Sequence, residues 1–445
     1  MLETEINNKA YQFVGNLKII EKEKPTQKKQ KGSIEHLPVT DISDYKITDS
    51  PSFSTSYMPR LSDLKLIISL REIEYGFEDN LYIEFYKFTD SISKLPSFQD
   101  KVSIDYIKRK SLIWILDVYL NKKANENLLN FLLQKLENDT KTLNYYYPVL
   151  NLDIEESFNI GEVNFTYFTN EYFDKFWELC DKKVYTSKKS FDSIFRNFQG
   201  RVFVVVTVFA ERDKGKEISF EKACFAVDIL KLLSPTVFHP TEKCLIDLEA
   251  RIPFKSEFLS KKINKEYEFS INYSLNRGPF YISKEMLSDL EDTTIKFLGK
   301  ATSLDSSKNH FKKLIIQPIK LISKSIGEKD LHMRISQLVM VIESIFLLEE
   351  ENFKMEKKCK RRMCEFIYAS NGKKRQDLFD VLSDMYQIRH KMTHKSIREY
   401  IELKKLRKFQ IHVVEVIIRL LKHVEKINSQ ETIINSLDSK IKTNA

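Results

Sequence analysis

Glycine and proline are scarce in this chain, 10 and 11 among 445 residues. That scarcity argues against a sandwich of many tight turns and for long helices. Long apolar runs are missing as well: no stretch of 18 uncharged apolar residues occurs, so no segment is expected to span a bilayer. The first residues, MLETEINNKAYQF, lack the basic-then-apolar pattern of a secretory signal, which points to the cytoplasm. Cysteine is sparse too, five in all: Cys180, Cys224, Cys244, Cys359 and Cys364. An odd number without framework spacing is expected of reduced thiols rather than a disulfide scaffold. The four-residue gap in CKRRMC, between Cys359 and Cys364, suits zinc poorly and has no second ligand pair nearby. HPTEKC, with His239 and Cys244, fails for the same reason. No metal and no other cofactor is expected, and the cysteines read as structural or incidental.

What is present is an ordinary globular balance, 42% apolar and 30% charged, in a chain long enough for two or three domains. The formal charge is +9, and its location says more than its size. Residues 351–425 hold 19 Lys and Arg against 10 Asp and Glu, which is the whole surplus, so the rest of the chain is close to neutral. A basic excess confined to one segment suggests a polyanionic partner, nucleic acid first, although a solvated basic face on a helical bundle would look the same.

Along the chain, Val14 to Ile20 forms a short apolar run that reads as a strand. Residues 1–62 then pass through KEKPTQKKQKGS and DSPSFSTS, polar and turn-forming, and are expected to be an N-terminal segment with a flexible basic and polar linker. Residues 63–300 read as a mixed α+β domain acting as sensor or regulator. LKLIISL, VSIDYI, SLIWILDVYL and RVFVVVTVF are rich in β-branched and aromatic residues, as strands or buried segments are. EYEFSINYS alternates in the manner of a strand with one wet face, and NIGEVNFTYF places a Gly at a tight turn between two apolar runs. A helix is expected over 219–233. From Lys284 onward each periodic segment is helical, with helices expected over 284–298, 304–325, 330–350, 352–369, 375–392 and 396–427. Asp330 suits an N-cap, and Asn371-Gly372 a break with a glycine at positive φ. Residues 301–430 are thus expected to form a helical bundle, and 431–445 a polar tail. The fold class is α+β: a mixed N-terminal region followed by an all-α bundle.

The residues that suggest chemistry lie in DVLSDMYQIRHKMTHKS, 380–396. Leu382, Met385, Tyr386 and Arg389 share a helical face, and His394 follows near the helix end. An arginine offers a fixed fork of donors for phosphate oxygens and for the charge that grows in a phosphoryl transition state. A histidine titrates near neutral pH and can move the proton of a ribose 2′-OH. Together they suffice for RNA cleavage without a metal, leaving a cyclic phosphate end. His390 either lines such a site or is a polar helix residue. Lys391, Lys395 and Arg398 flank the motif and suit RNA phosphates, or simply solvent. Tyr386 could stack on a base, but a core tyrosine is the simpler reading. The basic run KMEKKCKRRMC would extend an electrostatic track, and His412 and His423 carry no motif and read as structural. Glu343 is the sole charge between Ser336 and Leu348, on a helix apolar nearly all round, so it needs a partner. Arg389 or His394 would make it part of the site; Arg334, a lysine or a backbone donor would make it structural.

The helix RISQLVMVIESIFLLEE followed some forty residues later by YQIRHKMTH resembles the HEPN superfamily over about residues 325–427. Its signature is an Arg, a polar residue, and a His four to six positions after the Arg, matched here by Arg389, His390 and His394, with Glu343 at the acidic position of the first long helix. The resemblance implies a four- or five-helix bundle that pairs as a homodimer, with two motifs facing each other to build one composite nuclease site for RNA. It implies a bacterial anti-phage defence or toxin role, with a regulatory protein partner or a phage trigger. A HEPN fold without catalysis, serving RNA binding, protein interaction or oligomerisation, remains an alternative. So does a helical oligomerisation domain on an α+β ligand-binding domain, with the RHKMTH spacing accidental.

Overall fold

Helices dominate, as the shortage of glycine and proline predicts, and strands occur where β-branched residues cluster. The computed structural model describes residues 3–20, 46–49, 66–70, 73–77, 79–122, 126–171, 174, 178, 192, 198–251, 258–261, 267–270, 280–290, 295–302, 310–424, 426–427 and 429–443. The fold is α+β with a helical C-terminal region. The chain divides into two compact units, Met1–Leu143 with Val208–Ile218, and Asn144–Thr207 with Ser219–Ala445. These do not coincide with the expected boundaries at residues 62 and 300. The chain crosses between units within continuous elements, and composition gives no sign of that. No helix among the described residues is long and apolar enough to cross a membrane.

In the first unit α1 (Glu3–Gly15) leads to β1 (Lys18–Ile20), β2 (Lys46–Asp49), β3 (Leu66–Leu70) and β4 (Ile73–Gly76). The four strands form an antiparallel sheet in the order β1-β4-β3-β2. Three helices follow: α2 (Asp79–Ser93), α3 (Ile104–Asn121) and α4 (Leu128–Asp139). The expected strand over Val14 to Ile20 is therefore only Lys18–Ile20. Val14 belongs to α1, whose Ile6, Ala10 and Phe13 recur at helical spacing and are buried. The Phe13 ring packs edge-on against Phe77 and Phe85, at 5.6 and 5.2 Å between centroids. SLIWILDVYL and most of VSIDYI, readable as strands or buried segments, are buried segments of α3. Ser103 caps it by accepting from the Tyr106 N–H, and a short apolar run buried nearly all round cannot be told from a strand by periodicity. Most of the expected linker, 21–45 and 50–62, lies outside the described residues.

The chain continues through β5 (Lys141–Leu150), β6 (Leu152–Ile154), β7 (Phe158–Ile160), β8 (Val163–Tyr167) and β9 (Val202–Ala210). Next come α5 (Arg212–Leu232) and β10 (Asp247–Leu248), then β11 (Phe258–Lys261), β12 (Tyr267–Ser270) and β13 (Phe280–Ile282). One sheet has the order β10-β5-β9-β8-β7, and β13 pairs with β6 in parallel. RVFVVVTVF does form a strand, β9, whose final residues alternate buried and exposed. NIGEVNFTYF is a hairpin with Gly161 at φ +61 in its turn. EYEFSINYS supplies β12, and its last residues, 271–274, lie outside the described residues. The helix expected over 219–233 starts earlier, at Arg212, where the buried Glu211 accepts from the Asp213 and Lys214 N–H groups.

The helical region comprises α6 (Lys284–Leu290), α7 (Lys296–Thr302), α8 (His310–Gly327), α9 (Leu331–Phe346), α10 (Met355–Tyr368), α11 (Gly372–Lys395), α12 (Leu403–Lys422) and α13 (Gln430–Thr443). Of the expected helix 284–298, residues 284–290 lie in α6 and 296–298 in α7, while 291–294, like the start of the next at 304–309, lie outside the described residues. Asp330 caps α9 by accepting from the His332 and Met333 N–H groups. α9 is buried on most sides, with Ile335, Leu338, Val339, Val341, Ile342 and Ile345 in the core. Gly372 is the first residue of α11 rather than a positive-φ stop; the break is made by Asn371, which caps the helix through the Lys374 N–H. The helix expected over 396–427 is α12 alone, because Ser396 takes φ 54 and ends α11, leaving 396–402 irregular. The tail expected over 431–445 is largely α13. It buries Ile433, Ile434 and Leu437, and Asp438 pairs with the buried Arg362 at 2.7 Å. A three-to-four spacing of three apolar residues is too short a stripe to signal a packed helix by itself.

Candidate functional site

α11 carries the motif, and its sequence explains its pose. Leu378, Val381, Leu382, Met385, Tyr386 and Ile388 form an apolar stripe that is buried in the bundle. Arg389 continues that stripe one turn past Met385 and is half-buried. Its Nη1 donates to Glu343 Oε1 of α9 at 2.9 Å. Glu343 thus takes the arginine of the motif as its partner. Arg334, the structural alternative, is buried elsewhere and bonds only backbone carbonyls. Burial pushes the Glu343 carboxyl above the ordinary carboxylate value, and Arg389 pulls the other way without cancelling it. Tyr386, one turn before Arg389, is buried in the core. Burial raises its phenol pKa well above the usual range, reinforced by the neighbouring Cys359 and Glu343. A ring held there is not available to stack on a base.

His390 and His394 lie one turn apart on the same exposed side of α11, with ring centroids 4.7 Å apart. Arg389 and His394 are five residues apart, so on a helix they point about 140° from each other. No hydrogen bond or ion pair joins them among the described residues. One helix therefore brings the two imidazoles together and sets the arginine aside from them. Lys391 pairs with Glu399, Arg398 with Asp330 at 2.7 Å, and Lys395 is exposed. His412 is buried between Glu415, 3.1 Å from its Nδ1, and the Tyr368 hydroxyl, 3.4 Å from its Nε2; His423 caps the end of α12.

Among the described residues the cysteines form no comparable cluster. Burial pushes the Cys359 and Cys364 thiols up to about 12 and the half-buried Cys224 up to about 11. Cys180 lies outside the described residues. The segment 396–402, expected as helix, is irregular and is not marked as part of a site by its sequence. Its Glu399 carbonyl lies 3.0 Å from His332 Nε2, and its Tyr400 is exposed beside the motif. The one available signal was the β-branched Ile397 and polar Ser396 after the basic helix end, which is too common a pattern to mark a stop. No family model, curated protein or solved structure matches the chain.

Proposed function

We propose that this protein is a metal-independent endoribonuclease of HEPN type, a cytoplasmic bacterial defence or toxin effector. The observation that carries the reading is the exposed His390–His394 pair at the end of α11, one residue past an arginine that a partly buried carboxylate holds in place. In the reaction, His394 removes the proton of a ribose 2′-OH, and the 2′-oxygen attacks phosphorus. The bond from phosphorus to the 5′-oxygen breaks, that oxygen takes up a proton, and a cyclic phosphate and a free 5′-OH remain. The Arg389 guanidinium neutralises charge on the non-bridging oxygens. Glu343 keeps that guanidinium from folding back on solvent, and His390 supplies the second imidazole for proton transfer. Because the two groups diverge by about 140° on one helix, a single phosphodiester draws its arginine and its histidine from two copies of α11 in a homodimer. Lys391, Lys395 and Arg398 attract the RNA backbone, and residues 1–300 sense a regulatory protein or phage trigger.

Wild type, Arg389→Ala and His394→Ala incubated with total RNA in EDTA test this directly. Wild type is expected to cut and both variants to fail; equal activity in all three sinks the site, and a need for magnesium sinks the metal-free mechanism. A second reading has an observation in its favour: Glu343 neutralises Arg389 within one chain. On that reading the bundle is a non-catalytic HEPN-fold module for RNA binding, protein interaction or oligomerisation, and wild type leaves RNA intact.

A further inference from the structure

Tyr400 is the most exposed of the large apolar side chains among the described residues, 88% open to solvent. It is not exposed because its surroundings are loose. Ser396 and Ile397 donate their N–H groups to Met392 and Lys391 carbonyls. Arg398 is held by Asp330, Glu399 by Lys391 through its carboxylate and by His332 through its carbonyl, and Ile401 is buried. Both neighbours of Tyr400 are thus fastened, while its own ring and hydroxyl meet no hydrogen-bond partner among the described residues. A rigid loop that holds an aromatic ring out in water forgoes the burial such a ring ordinarily gains, and a stacking platform has that geometry.

Tyr400 lines an open cleft of about 610 Å³ between the loop and the start of α9, together with Glu328, Lys329, Asp330, His332, Arg398 and Glu399. The carboxylates of the cleft have partners within the protein: Glu328 Oε1 accepts from the Asp330 N–H. Asp330 caps α9 and holds Arg398, and Glu399 holds Lys391. Burial acts to raise the Asp330 carboxyl, but the His332 and Met333 N–H groups and Arg398 hold it below the usual range, so it stays an anion committed to those partners. What the cleft offers a ligand, beside the Glu328 carboxylate that the Asp330 N–H already holds by one oxygen, is an aromatic face, the outer edge of a guanidinium and the exposed Lys329 amine. That set matches an unpaired nucleobase with its phosphate. A duplex, whose bases are already stacked, has no free face to offer the ring.

We propose that Tyr400, with Arg398 and Lys329, forms a subsite that stacks one unpaired base of a single-stranded RNA. This rests on the ribonuclease reading and adds where the strand runs and why it must be single. Tyr400 follows His394 by six residues, so the two lie within about 20 Å along the chain, and the stacked base is a near neighbour of the cut phosphate.

The test uses the full chain and a labelled 12-nucleotide 2′-O-methyl RNA, which has no 2′-OH to attack, single-stranded and annealed to its complement. Tyr400→Ala is expected to weaken single-strand binding roughly five- to a hundredfold while leaving duplex binding and the melting temperature unchanged. Tyr400→Trp is expected to keep single-strand affinity. Unchanged single-strand binding in Tyr400→Ala overturns the subsite, as does equal loss for single strand and duplex, or no binding by wild type. Wild type that binds through Tyr400 yet leaves total RNA intact overturns the ribonuclease reading and leaves the subsite standing. Wild type that cuts, with Tyr400→Ala matching it in both Kd and KM, overturns the subsite alone.

Discussion

Arg334 lies in the first turn of α9 and is 1% exposed, the largest fully buried side chain described. Its guanidinium donates to four backbone carbonyls, those of Pro240, Glu242, Ile326 and Glu328, at 2.5 to 3.1 Å. No carboxylate pairs with it among the described residues. Burial draws its pKa below the ordinary arginine value against the pull of Glu328. One side chain thus ties the end of α8, the start of α9 and the segment before β10 together. Replacing it by methionine keeps the stem and removes the donors. The Ile326 carbonyl retains the Cys244 N–H at 3.2 Å, while those of Pro240, Glu242 and Glu328 lose the guanidinium. A buried acceptor stripped of its donor costs about 1–3 kcal/mol. The removal of a desolvated cation offsets part of that sum, which leaves a loss of about 3–5 kcal/mol, the range for breaking a buried charge network. Hydrogen exchange of peptides covering residues 335–346 measures it, since those amides open only when the core of α9 opens. Arg334→Lys, with one compact ammonium in place of a fork, is expected to recover part of the loss. Protection in Arg334→Met within about 1 kcal/mol of wild type would refute the reasoning, because it would mean that the carbonyls do not need the guanidinium.

Two further outcomes follow from local geometry. Glu351 accepts two bonds from Arg362, at 2.6 and 2.8 Å, one from Lys358 and one from the Leu348 N–H, and the Arg362 guanidinium above all holds its carboxyl down to about 2 from the ordinary 4.5. A depressed carboxyl stabilises the fold above its unfolded pKa. About 3 kcal/mol should therefore be present above pH 4.5 and disappear as the pH falls toward 2; urea titrations across that window should show the slope in wild type and a shallower one in Glu351→Gln. At Gly161 an added Cβ would lie 1.8 Å from Thr302 Oγ1 and 2.5 Å from the Gly299 carbonyl oxygen, on a backbone with φ +61. Gly161→Ala is expected to lose about 2–4 kcal/mol in thermal melts, and Gly200→Ala, also at positive φ but in open space, only about 1 kcal/mol; equal losses would mean that the hairpin yields and the contact with α7 carries no energy.

What could be read from the sequence depended on whether a residue's neighbours in the chain are also its neighbours in space. The helical region was legible because Ile335, Leu338, Val339, Ile342 and Ile345 keep a period that only a helix buries. The Gly161 hairpin was legible because a glycine between two apolar runs leaves little choice. In α3 the burial was legible but the helix was not, since Leu112, Trp114, Ile115, Leu116 and Val118 are buried on nearly every side and a full apolar run has no period. α13 was missed because its three buried residues look like chance in a polar segment; its place is fixed by Arg362 and by Gln430 bonding the Leu347 carbonyl at 2.8 Å, contacts made far along the chain.

The candidate site divides along the same line. A lone carboxylate on an apolar helix must find a cation, and the cation it finds, Arg389, stands at the end of the next apolar stripe but one. That pairing follows from cost: Glu343 can be half-buried only with a partner, and the stripe on α11 points a single cation toward α9. The His390–His394 contact follows from helix period alone, because residues four apart share a side. Tyr400 follows from neither. An exposed aromatic breaks the rule by which cores are read, and nothing in its own position betrays the breach. The reason it stands in water lies in Asp330 and His332, seventy and sixty-eight residues upstream, which fasten Arg398 and Glu399 beside it. Groups that satisfy a local demand can be found from sequence. A group left deliberately unsatisfied, as a surface that binds must be, becomes visible only when its neighbours are seen to be held and it is not.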